Sequence, residues 1–133
     1  MNRRFFMKSG FSFFLGIYGK IKTHAFQDFV EEVLVKTAEE AIVVVEPAQL
    51  AVVLRYDGKE NNPPQVMTMG TGPVAQKIEN IATANQIPIF VNPSLARGLQ
   101  KIAMVGSDIP EEFFNSVAEL LCQKYRMKSS VFG

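Results

Sequence analysis

The sequence is poor in the side chains on which most catalytic devices depend. It has no tryptophan, one cysteine (Cys122) and one histidine (His24) among 133 residues. A lone cysteine cannot form an intramolecular disulfide or a cysteine-based zinc site, and a catalytic triad would have to recruit His24. Cys122 lies in an apolar helical pattern, which predicts a small buried thiol. We therefore predict no catalytic residue, no metal site and no cofactor, in a protein that is not an enzyme.

An excess of charge of one sign is also missing. Fourteen Lys and Arg stand against 13 Asp and Glu, for a formal net charge of +1. Without a global basic field, the chain is not expected to bind nucleic acid. The hydrophobic fraction of 47% and charged fraction of 20% are typical of a globular domain, and the length suits one core.

The first 24 residues differ from the rest of the chain. Arg3, Arg4 and Lys8 precede an uncharged, Phe-rich run at residues 9–19. This run is too short to cross a bilayer as a helix, which takes about 20 apolar residues. Three interpretations stay open: a twin-arginine signal that exports the protein, contact of residues 1–19 with a membrane surface, or a leader that is poorly ordered or docks on a partner.

From residue 25 onward, hydrophobic periodicity predicts an α/β fold in a single domain. Apolar residues at helical spacing predict a helix over residues 25–40 that leads into the domain. Short apolar runs predict four strands, at residues 41–45, 50–56, 65–69 and 87–91. The second strand is predicted to be central and covered on both faces, and Pro88 predicts that the fourth begins late or lies at an edge.

Helices are predicted to alternate with the later strands. One begins at Pro73 and another follows residues 92–94, while residues 108–112 open the last helix and Lys124 matches the negative end of its dipole. The strand–helix–strand unit around the first of these is predicted to be parallel with a right-handed crossover. The result is a small four-stranded mixed sheet flanked by about four helices over residues 41–128, followed by a tail at 129–133.

Two turns carry candidate chemistry. Pro47 lacks a backbone donor, so the chain must leave the sheet between the first two strands. Gly70, Gly72 and Pro73 lie between a strand and a helix, where backbone N–H groups can hold phosphate. The segment lacks the third glycine and the lysine of nucleotide-binding loops, and a tight turn accounts for both glycines. Ligand binding or catalysis at residues 70–73 remains the alternative function.

Several segments together resemble the cytosolic domain of the FlhB/YscU family, the export-gate proteins of flagella and type III secretion systems. They occur in the family's order and spacing, at residues 50–56, 70–75, 87–89, 92–97 and 109–112. The resemblance implies a non-enzymatic component or accessory of an export apparatus, located in the cytoplasm or at the inner membrane. Its implied partners are export-gate or ring proteins and export substrates. Full-length members carry transmembrane helices before this domain, so a free-standing homologue or degenerate copy is expected.

In that family an Asn-Pro-Thr-His turn joins the first two strands and cuts itself. The asparagine amide nitrogen attacks its own carbonyl carbon, closes a five-membered succinimide and expels the proline nitrogen. The corresponding residues here are Glu46, Pro47, Ala48 and Gln49. Glutamate has no amide nitrogen and its extra methylene would demand a six-membered ring, so we predict that the turn stays intact. Arg55 and Arg97 are the candidates for a partner-binding surface.

Overall fold

The computed structural model describes residues 31–32, 34–59 and 61–132. Within these ranges the strands are β1 (Ala41–Glu46), β2 (Leu50–Arg55), β3 (Gln65–Thr71) and β4 (Ile89–Val91). In the same described part of the chain, three helices follow β3: α1 (Pro73–Ala84), α2 (Pro93–Ile102) and α3 (Phe114–Phe132). Short 3-10 turns, Ala38–Glu40 and Glu111–Phe113, precede β1 and α3.

The sheet is mixed, with strand order β3-β2-β1-β4. Strand β2 pairs antiparallel with both β1 and β3, while β4 pairs parallel with β1. The predicted α/β class, the four-stranded mixed sheet and the central place of β2 are confirmed. Strand β4 lies at an edge and begins after Pro88, as the missing proline donor requires. Strands β3 and β4 run in the same direction but do not pair, because they lie at opposite edges.

Both faces of the sheet are buried. Alternate β1 residues Ala41, Val43 and Val45 pack against α1, whereas Ile42 and Val44 pack against α2 and α3. This two-sided burial explains why β1 and β2 read as nearly continuous apolar runs rather than as alternating patterns. Each fully buried Val or Ile stabilises the fold by about 1.5–3 kcal/mol relative to an exposed position.

Two side chains of helix α3 differ in burial from what the sequence predicts. Cys122, predicted to be buried, is exposed, and Lys124, predicted to be a helix-end cation, is only 4% exposed. The buried stripe of Val117, Leu120 and Leu121 continues at helical spacing to residue 124, while residue 122 is rotated about 100° away from residue 121. The helix also begins later than residues 108–112, at Phe114, and runs through Phe132.

The chain enters the sheet through a helical segment. Residues 31–32 and 34–36 are helical, and Leu34 is fully buried against the α1 side of the sheet. The remainder of the helix predicted at residues 25–40, and the whole 1–24 leader, lie outside the described residues. No helix within the described ranges is long and apolar enough to cross a membrane.

Candidate functional site at the β1–β2 turn

Three residues, Pro47, Ala48 and Gln49, connect β1 to β2, and Glu46 is still paired with Leu50. The Gln49 N–H donates to the Glu46 carbonyl at 2.9 Å, and Ala48 has a φ of +64°. Proline at the second position and a positive φ at the third are the features of a type II turn, in which the third residue is usually Gly or Asn. Alanine in the left-handed region costs about 1–2 kcal/mol, so neighbouring contacts must hold the turn.

Arg97 of α2 holds the turn through the Glu46 side chain. Arg97 Nε donates to Glu46 Oε1 at 2.9 Å, and Arg97 Nη2 donates to Glu46 Oε2. The pairing is therefore bidentate, the geometry in which a guanidinium binds a carboxylate most strongly. The Glu46 side chain is 14% exposed and that of Arg97 is 62% exposed. The structure thus brings together two residues that sequence analysis proposed separately.

Sheet topology brings these residues together across 51 positions of sequence. Because β4 is parallel to β1, their carboxyl ends meet at the same end of the sheet, with Val45 opposite Val91. Helix α2 follows β4 at once: the Asn92 side chain accepts a hydrogen bond from the Leu95 N–H, and proline occupies the first helical turn. The first exposed turn of α2 therefore lies beside the β1–β2 turn.

The ion pair changes the acidity of both partners. The hydrogen bond from Arg97 holds the pKa of Glu46 below its ordinary value of 4.5; partial desolvation opposes this and the Arg97 charge adds to it. The hydrogen bond to Glu46, followed by the Glu46 charge, raises the pKa of Arg97. Both groups are therefore charged near neutral pH.

The lowered pKa of Glu46 predicts a pH-dependent contribution to stability. Because the folded-state pKa lies below the unfolded value, the contribution is complete above pH 4.5 and is lost as pH falls through the folded pKa. We expect the difference in denaturant midpoint between the wild-type chain and Glu46→Gln to shrink across that acidic window. Urea unfolding of both chains at several pH values measures it, and a difference that stays constant through the window would contradict the expectation.

The Gly-Thr-Gly-Pro segment lies directly against the same turn. The Gly72 N–H donates to the Gln49 carbonyl at 3.1 Å, which removes one backbone donor that a phosphate would need. A Cβ on Gly70 would lie 2.3 Å from Val74 Cγ1, and Gly72 has a φ of +57°. Close packing and backbone conformation, respectively, account for the two glycines.

These two causes predict separable effects on stability. Gly70→Ala and Gly72→Ala are each expected to lower the free energy of unfolding by about 1–2 kcal/mol, the first by collision and the second by backbone strain. A second substitution, Val74→Ala, removes the nearest atom that a Cβ on residue 70 would meet, whereas a Cβ on residue 72 would meet nothing within 4 Å. In urea unfolding, the losses in free energy of unfolding from Val74→Ala and Gly70→Ala should therefore not add, whereas those from Val74→Ala and Gly72→Ala should add. Equal coupling in both pairs would refute this explanation.

Arg55 lies at the other end of β2 from the turn, roughly 17 Å away at 3.4 Å per residue. Its Nε donates to Glu40 Oε1 at 2.6 Å, and it borders a separate hollow of about 950 Å³. Arg55 and Arg97 are therefore not neighbours, and a partner that contacts both must extend along the length of β2.

Three polar residues that were not predicted from the sequence complete the surroundings of the turn. Thr71, Gln100 and Lys101 join Glu46, Gln49 and Arg97 around a hollow of about 370 Å³. Lys101 follows Arg97 by four positions on α2, a spacing that puts both on one helix face and could have indicated the pair. In the described ranges, no three His, Cys, Asp or Glu side chains are grouped so that they could hold a metal ion.

Comparison with known proteins finds the same family along most of the chain. The model of the FlhB HrpN YscU SpaS Family matches residues 17–123. The flagellar biosynthetic protein FlhB of Buchnera aphidicola subsp. Schizaphis graminum is 37% identical over 87 residues, which cover 65% of this chain and 23% of that protein. The FlhB of Aquifex aeolicus is 28% identical over 117 residues, covering 88% of this chain and 33% of that protein. The chain therefore spans between about a quarter and a third of these curated relatives.

A solved structure agrees with the family match. The crystal structure of the cytoplasmic domain of FlhB from Shewanella putrefaciens superposes with a TM-score of 0.70 at 30% identity, covering 80% of this chain and 80% of that one. The likeness therefore extends over most of both chains.

Proposed function

The chain belongs to the FlhB HrpN YscU SpaS family, and on this premise we propose that it is a non-enzymatic component or accessory of a flagellar or type III protein export apparatus. In this proposal it acts by binding, in the cytoplasm or at the inner membrane. Its partners are export-gate or ring proteins and export substrates. The family match over most of the chain and the FlhB-like fold support this assignment.

The proposal includes a Glu46–Pro47 bond that stays intact. The observation that carries it is the bidentate hold of Arg97 on the Glu46 carboxylate. Both oxygens of that carboxylate are engaged, the side chain has no amide nitrogen, and attack on its own carbonyl carbon would require a six-membered ring. Gln49 supplies no basic group next to the turn that could assist an attack. The turn therefore lacks the nitrogen nucleophile that would attack the Glu46 carbonyl carbon and expel the Pro47 nitrogen.

Intact-mass spectrometry of the purified full chain tests the uncleaved state. We expect one species of 133 residues after prolonged incubation at neutral pH. A denaturing gel provides the second readout, because two fragments of 46 and 87 residues would separate from the full chain. Any accumulation of fragments 1–46 and 47–133 would contradict an intact turn.

A pull-down tests the binding role. The full chain is immobilised and exposed to purified export-gate and ring proteins, with the FlhB cytoplasmic domain as the positive control. We expect both baits to retain at least one common partner. Retention by FlhB alone would remove the support for an export role, and cell fractionation of the tagged chain separately tests its location.

The alternative use of residues 70–73 for a small ligand has a direct test. The engaged Gly72 N–H and the packing of Val74 against Gly70 leave little of this turn for a phosphate. Thermal-shift measurements with nucleotides and phosphorylated metabolites are expected to give no stabilisation. A concentration-dependent shift that Gly72→Ala abolishes would favour the ligand-binding alternative instead.

A further inference from the structure

The hollow beside the β1–β2 turn, which we call the turn hollow, contains more positive than negative charge. Of its lining residues, Arg97 and Lys101 are cations and Glu46 is the single carboxylate. Because Arg97 and Glu46 form an ion pair, Lys101 supplies the uncompensated charge. Among the described residues, no carboxylate lies within ion-pair distance of Lys101.

Arg97 keeps part of its binding capacity. A guanidinium has five N–H donors in a fixed fork, and two of its nitrogens donate to Glu46. The side chain is 62% exposed, so the remaining donors can be reached from solvent. Lys101 lies one helical turn further along the same face, and the exposed side chains of Gln49, Thr71 and Gln100 add polar groups around it.

We propose that the turn hollow binds an acidic side chain of a partner peptide, and that Glu46 is an internal ligand that competes with this side chain for Arg97. The contact between Glu46 and Arg97 already demonstrates the chemistry, because it is a carboxylate bound in bidentate fashion at this place. An incoming carboxylate pairs with Lys101. It also accepts hydrogen bonds from the Arg97 guanidinium, either beside Glu46 or in its place. The inference deepens the proposed function, on which it rests, by naming the chemistry of the partner segment.

The charge balance favours a carboxylate over a more highly charged anion. One cation remains uncompensated while Glu46 is in place, which matches one carboxylate rather than a phosphate dianion. The hollow of about 370 Å³ is open to solvent and is bordered by a hairpin turn, so a side chain that projects from a peptide can reach it. Since both cations are exposed, binding is expected to weaken as salt concentration rises.

Fluorescence anisotropy with a labelled peptide that contains three consecutive glutamates tests the inference on the full chain. Lys101→Glu is expected to weaken binding about fivefold, because it replaces the uncompensated, exposed cation with a repelling charge. Glu46→Gln is expected to strengthen binding about fivefold, because removal of the competing carboxylate leaves the exposed Arg97 guanidinium free to pair with the peptide. Lys77→Glu, on α1, is the matched control for a charge change outside the turn hollow and should leave affinity unchanged.

Two further measurements identify the ligand and the place. The same peptide with glutamines in place of glutamates should bind at least fivefold more weakly, and NMR amide shifts should concentrate at Gln49, Thr71, Gln100 and Lys101. The inference is overturned if Glu46→Gln fails to strengthen binding, if Lys77→Glu weakens it as much as Lys101→Glu, or if inorganic phosphate produces the same shifts at lower concentration than the peptide. None of these failures affects the intact-mass or pull-down results, so loss of this inference is distinguishable from loss of the proposed function.

Discussion

A chain that carries Glu46→Asn, Ala48→Thr and Gln49→His together is expected to cut itself after residue 46. The asparagine side chain supplies the amide nitrogen that glutamate lacks, and its attack on its own carbonyl carbon closes a five-membered ring. Pro47 is already present as the leaving group in a hydrogen-bonded turn between paired strands. Removal of the Glu46 carboxylate also removes the Arg97 ion pair that holds the native side chain. Intact-mass spectrometry should then find fragments 1–46 and 47–133.

Matched variants separate ring size from other effects of the substitutions. Glu46→Gln, combined with the same changes at residues 48 and 49, provides an amide nitrogen but requires a six-membered ring, and is expected to stay whole. Circular dichroism and urea unfolding establish that each variant is folded. If the asparagine variant is folded and remains a single species over days, the turn must differ from a cutting turn in more than its side chains.

Lys124→Met is expected to lower the free energy of unfolding by about 3 kcal/mol. Lys124 Nζ donates to the Glu39 carbonyl at 2.7 Å and to the Ala41 carbonyl at 3.3 Å, and the residue is 4% exposed. Hydrogen bonds from a charged donor contribute about 1.5–3 kcal/mol each. Methionine has a similar length but no donor, so both carbonyl groups lose this hydrogen-bond partner. The packing of the methionine side chain recovers part of the lost stability. Urea denaturation measures the change.

Lys101→Met is the matched control for that experiment, because it makes the same chemical change at an exposed helix position. It should alter the free energy of unfolding by no more than about 0.5 kcal/mol. Equal losses in the two variants would mean that Lys124 contributes through helix propensity alone. A loss confined to Lys124→Met would assign the effect to the contacts of the Lys124 ammonium group, which include the Glu39 and Ala41 carbonyls, rather than to helix propensity.

The strands and turns were predictable because their signals are local. Apolar runs with β-branched residues predict β1 and β2, and Pro47 predicts the turn between them. Pro88 predicts the late start of β4, which the structure confirms. Each of these features depends on backbone rules that operate over a few residues. The positive φ of Ala48 was not predictable, since alanine carries no preference for that conformation.

The pairing of Glu46 with Arg97 could not be read from local pattern. It depends on β4 lying beside β1, and the sequence alone indicated a parallel relation between β3 and β4 instead. Without the knowledge that β4 pairs with β1, the sequence predicts only that Arg97 lies on a short helix and does not identify Glu46 as its partner. The same limit applies to Lys124: a lysine near a helix end is usually solvated, and only the position of the Glu39 and Ala41 carbonyls opposite α3 accounts for its burial.

The anchoring of the chain just before β1 has a mechanical consequence. Leu34 is buried in the layer between the sheet and α1, and Lys124 fixes the carbonyls of Glu39 and Ala41 from α3, on the opposite face. A pulling force applied through the residues before Leu34 is therefore resisted by both helical layers at once. Tension delivered through residues 34–41 is thus shared between α1 and α3, on the two faces of the sheet, rather than borne by one strand alone.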